Sequence, residues 1–319
     1  MSAARAVIAP VAAGVARPRW SVMIPAFQCA TYLGETLRSV LAQDPGPDAM
    51  QIEVVDDASS DDLAAIVNSV GQGRVGYHRQ PRNIGHIANF AACLERSRGE
   101  LVHLLHGDDL VLPGFYEALD RGFGDPVIGA AFCRWQIVDS AGSVMDVAQA
   151  EQAAAGPLDD ALGKLASEQR IVTPAIVVRR SVWEQLGGFD PRLACAEDWE
   201  MWVRIAARYG IWYEPALLAT YRKHDDSNTG RHFADARELR YTELAMDLFR
   251  PLLPDDRAAA IIGSARRAYA RTALDNARQL ASERRRRAMW AHLRMAWRLE
   301  PRMATLRQAA RIALGRGEP

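Results

Sequence analysis

The sequence lacks the features that mark several broad classes of protein. Its four cysteines are scattered along 319 residues without a Cys-x-x-Cys pair, which argues against a disulfide framework or a zinc site. It has no apolar run of the roughly 20 residues that a membrane-spanning helix needs. Its 39 basic and 39 acidic residues balance, so no global field favours nucleic acid or membranes. These absences predict a protein of a reducing, cytoplasmic compartment.

The chain instead shows alternating strand and helix patterns, which begin at Trp20. Residues 1–18 precede them, and their alanine-rich sequence, interrupted by Pro10, predicts a disordered leader. From residue 20 to 105, strand patterns alternate with helical runs of about ten residues, which indicates βαβ units. The predicted fold class is therefore α/β, with a mostly parallel sheet flanked by helices.

The strongest local signal is an apolar strand pattern that leads directly into two carboxylates. Residues 100–105 form the strand pattern, and His106-Gly107-Asp108-Asp109 follows it. Adjacent carboxylates repel each other unless a proton or a metal ion lies between them, and their hard oxygens suit Mg²⁺ or Mn²⁺. Such pairs also occur in solvated turns and helix caps, so the pair alone leaves both interpretations open.

Other polar residues also come just after strands. Pro25 ends the first strand pattern, and Asp56 and Asp57 end the second. Because ligands of such sheets bind beyond the carboxyl ends of the strands, these positions predict one cleft shared with Asp108 and Asp109. Asp57 could accept the imide N–H of a pyrimidine base there. The alternative is an acidic helix N-terminus that complements the helix dipole.

A second acidic cluster opens a helical pattern in the other half of the chain. Asp198, which follows Glu197, is either a helix cap or a general base that takes a proton from an attacking hydroxyl or amine. Trp199 and Trp202 are either the apolar wall of an acceptor site or core residues. His224 follows a strand-like segment and could complete a metal site or pair with a carboxylate.

The order of these motifs resembles that of the inverting nucleotide-sugar glycosyltransferases of family two, which have the GT-A fold. The matching segments are V-M-I-P-A-F-Q, I-E-V-V-D-D-A-S-S-D, R-N-I-G-H-I-A-N-F, H-G-D-D-L-V-L-P-G-F, G-G-F-D-P with A-E-D-W-E-M-W-V-R, and Y-R-K-H. The resemblance implies a GT-A domain over residues 19–230, with a nucleotide-sugar half (19–125) and an acceptor half (126–230). Residues 231–319 would form a C-terminal α-helical region.

The resemblance also implies roles for individual residues. The implied donor nucleotide-binding residues are Pro25, Ala26, Phe27, Asp57, Asn83 and Asp108. The implied metal ligands are Asp109, Asp108 and His224, and the implied catalytic base is Asp198. The implied acceptor-side residues are Glu197, Trp199 and Trp202. His106 stands where many relatives have the first Asp of a D-x-D element, which leaves open how Asp108 and Asp109 divide their tasks.

The implied activity is transfer of a sugar, with inversion, from a nucleoside-diphosphate donor to a hydroxyl or amine acceptor. A UDP-sugar is the favoured donor, a divalent cation (Mn²⁺ or Mg²⁺) is the implied cofactor, and the acceptor is either free or carrier-bound. The reaction would belong to polysaccharide, glycoconjugate or natural-product biosynthesis. Two other functions stay open, namely a catalytically inactive nucleotide-sugar binding protein and a sugar nucleotidyltransferase.

Beyond residue 228 the sequence changes to helical patterns rich in alanine and arginine, with breaks near Pro251, Pro254 and Pro301. Four consecutive arginines, residues 284–287, precede a stretch that contains Trp290 and Trp297. This basic and aromatic segment could contact an anionic membrane at its inner face or an acidic carrier protein. Alternatively, it packs its apolar side on the rest of the protein while the arginines are solvated.

Overall fold

The computed structural model describes residues 4–224 and 232–314, which fall into two compact units. The first unit consists of the described residues within 1–161, 170–191 and 204–223. The second consists of those within 162–169, 192–203 and 224–319.

The first unit is built on one mixed sheet, which has ten strands within the described residues. In chain order they are β1 (Trp20–Ala26), β2 (Met50–Asp56), β3 (Gly76–Arg79), β4 (Leu101–Leu104), β5 (Leu110–Val111), β6 (Ile128–Val138), β7 (Val144–Val147), β8 (Gly156–Pro157), β9 (Ile176–Arg179) and β10 (Gly210–Arg222). The strand order is β3-β2-β1-β4-β9-β6-β10-β5, with β7 paired to β6 and β8 paired to β10.

Strand direction differs between the two halves of the sheet. β1 pairs in parallel with β2 and β4, β2 pairs in parallel with β3, and β6 pairs in parallel with β10. β9 lies antiparallel between β4 and β6, and β5 pairs antiparallel with β10. The predicted α/β class with a mostly parallel sheet is confirmed. Every antiparallel pair includes at least one strand that comes after β4 in the chain.

Helices connect the parallel strands and continue to the end of the described chain. They are α1 (Ala30–Leu41), α2 (Leu63–Gly71), α3 (His86–Arg96), α4 (Phe115–Asp120), α5 (Ala161–Ser167), α6 (Arg180–Leu186), α7 (Glu197–Ala206), α8 (Arg237–Phe249), α9 (Asp255–Ser282), α10 (Arg286–Leu299) and α11 (Met303–Ala313), with 3₁₀ turns at Arg121–Gly124, Thr173–Ala175 and Arg250–Leu252. Within the described residues, no helix is both long and apolar enough to span a bilayer.

The first helices form where the spacing of apolar residues predicts them. α1 buries Leu33, Leu37 and Val40 in the same core cluster as Val22 and Ile24 of β1. Residues three or four apart share one helix face, and alternate residues share one strand face, so both elements contribute to a single core. The sheet therefore holds the loops after β1, β2 and β4 at its carboxyl edge.

The segment before β1 differs from the predicted disordered leader. Ile8 is buried, and Arg5 forms an ion pair of 3.0 Å with the buried carboxylate of Asp190. The N–H of Gly188 donates to the carbonyl of Ala6 over 2.9 Å. These contacts involve a turn more than 170 residues away, so the composition of residues 1–18 gave no indication of them.

The second unit has its own apolar core, built mainly from α9, α10 and α11. Small alanines on α9 pack with larger side chains of α10, including Met289, Leu293 and Leu299. Pro254 and Pro301, near which the sequence predicts breaks, both lie between helices in the structure. A further break separates α9 from α10 at residues 283–285, where Arg284 has a positive φ of 60°.

Candidate active site

The loop after β1 joins the two other loops at the carboxyl edge of the sheet. The carbonyl of Ala26 accepts a hydrogen bond from the N–H of Asp57 over 2.9 Å. The carbonyl of Pro25 accepts one from the N–H of Gly107 over 3.2 Å. Pro25 and Ala26 are buried, whereas the side chain of Phe27 is exposed. The structure thus brings the end of β1 and the loops after β2 and β4 together at one edge of the sheet, where the sequence predicts a cleft; the cleft itself stays a prediction.

Asp56, the last residue of β2, fixes the loop that follows this strand. Its Oδ1 accepts hydrogen bonds from the hydroxyl of Ser59 (2.6 Å) and from the N–H of that residue (2.9 Å). Its Oδ2 accepts from Tyr77 (2.7 Å) and Arg79 (2.6 Å). Burial raises the pKa of Asp56, but the hydrogen bonds from Ser59 and Tyr77 and the charge of Arg79 outweigh it, so the pKa lies below its ordinary value. Asp56 is therefore a buried, charged anchor.

Asp57 holds the loop that contains Asn83. Its two carboxylate oxygens accept the N–H groups of Ile84 (2.7 Å) and Gly85 (2.9 Å), and its carbonyl accepts from the Asn83 amide over 3.2 Å. The structure therefore brings together two residues predicted to bind the nucleotide. Each carboxylate oxygen can accept a second hydrogen bond, so these contacts do not prevent Asp57 from accepting one from a base. That contact with a base stays a prediction.

The turn after β4 gathers one imidazole and two carboxylates. His106, Asp108 and Asp109 offer ligand atoms that all lie within 4.8 Å of one another. His106 Nδ1 lies 3.2 Å from Asp109 Oδ2, and the His106 ring stacks on Phe90 with 5.3 Å between centroids. Asp108 and His106 are half-buried, whereas Asp109 is fully buried. The donor set, carboxylate oxygens with one imidazole nitrogen, fits Mn²⁺ by its chemistry.

The environment of Asp109 explains why a cation would be stabilised in this turn. Burial raises the pKa of Asp109 to about 6, although hydrogen bonds from His106 and from the N–H of Arg222 act in the opposite direction. The Arg222 N–H lies 2.8 Å from Oδ1. A nearby positive charge favours the charged form of such a carboxylate, whether it is a protonated His106 or a metal ion.

Arg222, which the sequence did not single out, fixes the same turn through its side chain. Its guanidinium donates to the carbonyl of Asp108 (3.1 Å) and to the carbonyl of Asp139 (3.3 Å), and it pairs with Glu35 (2.8 Å). It also lies 4.6 Å from the centroid of the Tyr32 ring. The sequence signal for Arg222 is its place in the Y-R-K-H segment, next to the predicted ligand His224.

The predicted catalytic base lies in the second unit, at the start of α7. Asp198 Oδ2 accepts a hydrogen bond from the amide of Gln169 over 2.8 Å, and Oδ1 accepts one from the N–H of Trp199 over 2.7 Å. Asp198 is half-buried and the preceding Glu197 is buried. Gln169 orients the carboxylate, and no sequence pattern had indicated this residue.

The two tryptophans predicted as acceptor-side residues are both buried. Trp199 donates its indole N–H to the carbonyl of Leu165 over 2.6 Å, and its ring lies 5.0 Å from that of Phe249 and 5.1 Å from that of Tyr269. Trp202 is buried as well. The structure therefore favours the alternative interpretation of the sequence, in which these residues belong to the core, because an acceptor wall requires an accessible ring face.

His224 follows β10 in the chain and is half-buried in the second unit. Residues 225–231, directly after it, lie outside the described residues. Its role as a metal ligand stays a prediction.

Comparison with known sequences identifies the class of protein. The profile of the family described as "Glycosyl transferase family 2" matches residues 21–184. An uncharacterised protein of Mycobacterium tuberculosis is 32% identical over 79% of this chain and 83% of its own length. An uncharacterised glycosyltransferase of Rickettsia typhi is 24% identical over 66% of each chain. The chain belongs to glycosyl transferase family 2.

Solved structures confirm the fold. TarS of Staphylococcus aureus (residues 1–349), in complex with UDP-GlcNAc, superposes with a TM-score of 0.62 at 17% identity, over 77% of this chain and 70% of that one. The mannosyltransferase PcManGT of Pyrobaculum calidifontis, in complex with GDP-Man and Mn²⁺, has a TM-score of 0.56 at 21% identity, over 96% and 89% of the two chains. The predicted GT-A fold is confirmed.

Replacement of Asp56 by Asn is expected to lower the free energy of unfolding by about 2 kcal/mol near neutral pH, because a buried charged acceptor loses hydrogen bonds. Since the pKa of Asp56 is lowered in the fold, its contribution is fully present above the ordinary pKa of about 4 and is lost as the pH falls through the folded value. Urea denaturation should therefore show a constant difference down to about pH 5, shrinking only below about pH 4.

The matched control is Asp62→Asn. Asp62 caps α2 by accepting the N–H of Ala65 over 3.1 Å, and asparagine caps a helix about as well. We expect this variant to differ from the wild type by less than about 0.5 kcal/mol. An equal loss in both variants, or a difference for Asp56→Asn that does not change at low pH, would contradict the assignment.

Proposed function

We propose that the protein transfers a sugar with inversion from a nucleoside-diphosphate donor, with a UDP-sugar favoured, to a hydroxyl or amine acceptor. The observation that carries the proposal is the junction of the β1, β2 and β4 loops, where Asp57 and Asp108 share one edge of the sheet. Membership of a glycosyltransferase family supports it. The complex of TarS with UDP-GlcNAc supports uridine, and that of PcManGT with GDP-Man makes guanosine the main competitor.

The nucleotide end of the donor is assigned to the β1 and β2 loops. The exposed ring of Phe27 offers a face on which a base can stack, and Asp57 can accept an imide N–H. Asn83 lies beside Asp57 and retains its side-chain carbonyl as a further acceptor. The backbone turn around Pro25 and Ala26 would form the floor of this part of the site.

The diphosphate end is assigned to the turn after β4. We assign Asp108 as the accessible ligand of a divalent cation and Asp109 as the buried one, with the His106 imidazole 3.2 Å from Asp109 Oδ2 as a neighbouring member of the same cluster. A bound divalent cation would stabilise the negative charge that develops on the leaving nucleoside diphosphate. The Mn²⁺ in PcManGT supports this cofactor. The further ligand role of His224 rests on the family pattern.

The proposed general base is Asp198. It would take the proton of the acceptor hydroxyl or amine while the acceptor forms a bond to the anomeric carbon. The bond between that carbon and the diphosphate oxygen breaks, and its electron pair leaves with the nucleoside diphosphate. Attack from the opposite face inverts the anomeric centre. The amide of Gln169 fixes the orientation of the Asp198 carboxylate through Oδ2, and the carboxylate keeps lone pairs that can accept the proton of the acceptor.

The direct test is the release of nucleoside diphosphate from a panel of UDP-, dTDP- and GDP-sugars with Mn²⁺, Mg²⁺ or EDTA. We expect metal-dependent release from a UDP-sugar and a loss of at least about 100-fold in Asp108→Asn, because one charged ligand is removed. Asp159→Asn, at an exposed position, is the control and should match the wild type.

Two results would contradict the proposal. Formation of a nucleoside triphosphate and a sugar 1-phosphate when pyrophosphate is added to the NDP-sugar, without release of nucleoside diphosphate, would indicate a nucleotidyltransferase. Donor binding in a thermal-shift assay, with no release of nucleoside diphosphate even in the presence of metal and an acceptor mixture from cell extract, would favour the inactive binding protein.

Asp198→Asn is expected to lower donor hydrolysis, in which water is the acceptor, by about 10²–10⁴-fold, because an amide cannot take up the proton. The dissociation constant of the donor should stay within about twofold of the wild-type value. Gln169→Ala should have a smaller effect, since it only releases one oxygen of the base. Hydrolysis at the wild-type rate in Asp198→Asn would exclude this residue as the base.

A further inference from the structure

The charges of the chain are strongly segregated, although they sum to zero. Residues 284–314 contain nine arginines and a single carboxylate, Glu300. The other residues therefore hold 30 basic and 38 acidic side chains, so the formal charges of the two parts are +8 and −8. The electrostatic field of a negatively charged partner attracts residues 284–314 and repels the rest of the chain.

The exposed face of α10 alternates arginine and tryptophan. Arg287, Trp290, Arg294 and Trp297 are spaced by three or four residues and therefore share one side of the helix. Trp290 is 45% exposed and Trp297 is 42% exposed, whereas the opposite side of α10 is buried in the core of the second unit. Tryptophan with neighbouring arginine is typical of helices that lie in the interface of a bilayer.

The next helix also exposes large apolar side chains. Met303 is 62% exposed and Leu306 is 45% exposed on α11, and Leu314, directly after the helix, is 67% exposed. Arg307 and Arg311 lie on the same helix and are exposed. Large apolar groups at the surface, surrounded by cations, indicate a surface that another phase or molecule covers.

Several arginines of this face have no carboxylate partner among the described residues. Arg298 forms an ion pair with Glu243 over 2.6 Å. Five other arginines form no ion pair within residues 4–224 and 232–314, namely Arg286, Arg287, Arg294, Arg307 and Arg311. A cleft of about 520 Å³ at the start of α10 is lined by Arg285, Arg286 and Arg287 and by Arg237 and Asp235, which pair with each other over 2.7 Å. Arg287 and Arg294 each lie one helical turn from an exposed tryptophan, so positive charge without a carboxylate partner lies next to Trp290 and Trp297.

We propose that the face formed by residues 284–314 docks the protein on the surface of an anionic lipid bilayer. The interleaving of cations with tryptophan, methionine and leucine favours a bilayer, because a bilayer offers anionic headgroups directly above a continuous apolar phase. Pairing of this face with the same face of a second copy is disfavoured, because two surfaces of net positive charge repel each other. The inference is independent of the proposed catalytic activity.

Vesicle flotation of the full chain tests the proposal. We expect the protein to float with vesicles of phosphatidylcholine and phosphatidylglycerol at low ionic strength, to remain behind with phosphatidylcholine alone, and to be released at high salt. Each change of Arg287, Arg294, Arg307 or Arg311 to Gln should lower the partition coefficient about fivefold. The pair Trp290→Ser and Trp297→Ser should lower it at least as much as one arginine change.

Matched surface changes elsewhere serve as controls. Met145→Ser removes an exposed apolar side chain from β7, and Arg82→Gln removes an exposed arginine, so neither should alter flotation. The proposal is overturned if the wild-type protein stays at the bottom of the gradient with every lipid mixture. It is also overturned if light scattering shows a dimer that Trp290→Ser and Trp297→Ser dissociate. Nucleoside diphosphate release in the absence of lipid should be the same in all these variants, which separates this test from that of the activity.

Discussion

The candidate active site depends on the burial of one carboxylate, that of Asp109. Its Oδ1 accepts the N–H of Arg222 at the end of β10, and its Oδ2 lies beside His106 at the start of the same turn. Because β9 and β6 separate β4 from β10 in the sheet, this contact joins the turn after β4, in the parallel half of the sheet, to the last strand of the other half. Asp108 and His106 take their positions from this buried tie.

A buried carboxylate is costly unless charges or hydrogen bonds compensate for it, and the compensation at Asp109 is partial. Burial raises the pKa of Asp109 to about 6, and a positive charge nearby would stabilise its charged form. Arg222 does not supply it directly, since its guanidinium is engaged with Glu35 and with the carbonyls of Asp108 and Asp139. These contacts fix the position of the turn, and its two carboxylates and one imidazole form a donor set that suits a divalent cation.

The sequence predicted what depends on local spacing. The helical runs of about ten residues that the sequence predicts between residues 20 and 105 are observed as α1, α2 and α3, and the acids at strand ends lie at one edge because parallel strands end there. It did not predict contacts between distant residues. Arg222 with Asp109, Gln169 with Asp198, and Ile8 in the core each depend on tertiary packing, as does the burial of Trp199, for which the pattern allowed two interpretations.

The most direct test of this account is the affinity for Mn²⁺ in the presence of UDP, measured by electron paramagnetic resonance for the wild type, Arg222→Met and Arg179→Met. Arg179 is the control, because its guanidinium, like that of Arg222, donates to backbone carbonyls. These are the carbonyls of Phe123, Asp125 and Ile128. Arg222→Met keeps the backbone N–H to Asp109 but loses the guanidinium contacts with Asp108, Asp139 and Glu35 that position the turn. The account predicts that this variant binds Mn²⁺ about 10–100-fold more weakly and that Arg179→Met binds it as the wild type does. A folded Arg222→Met protein with wild-type affinity would contradict it.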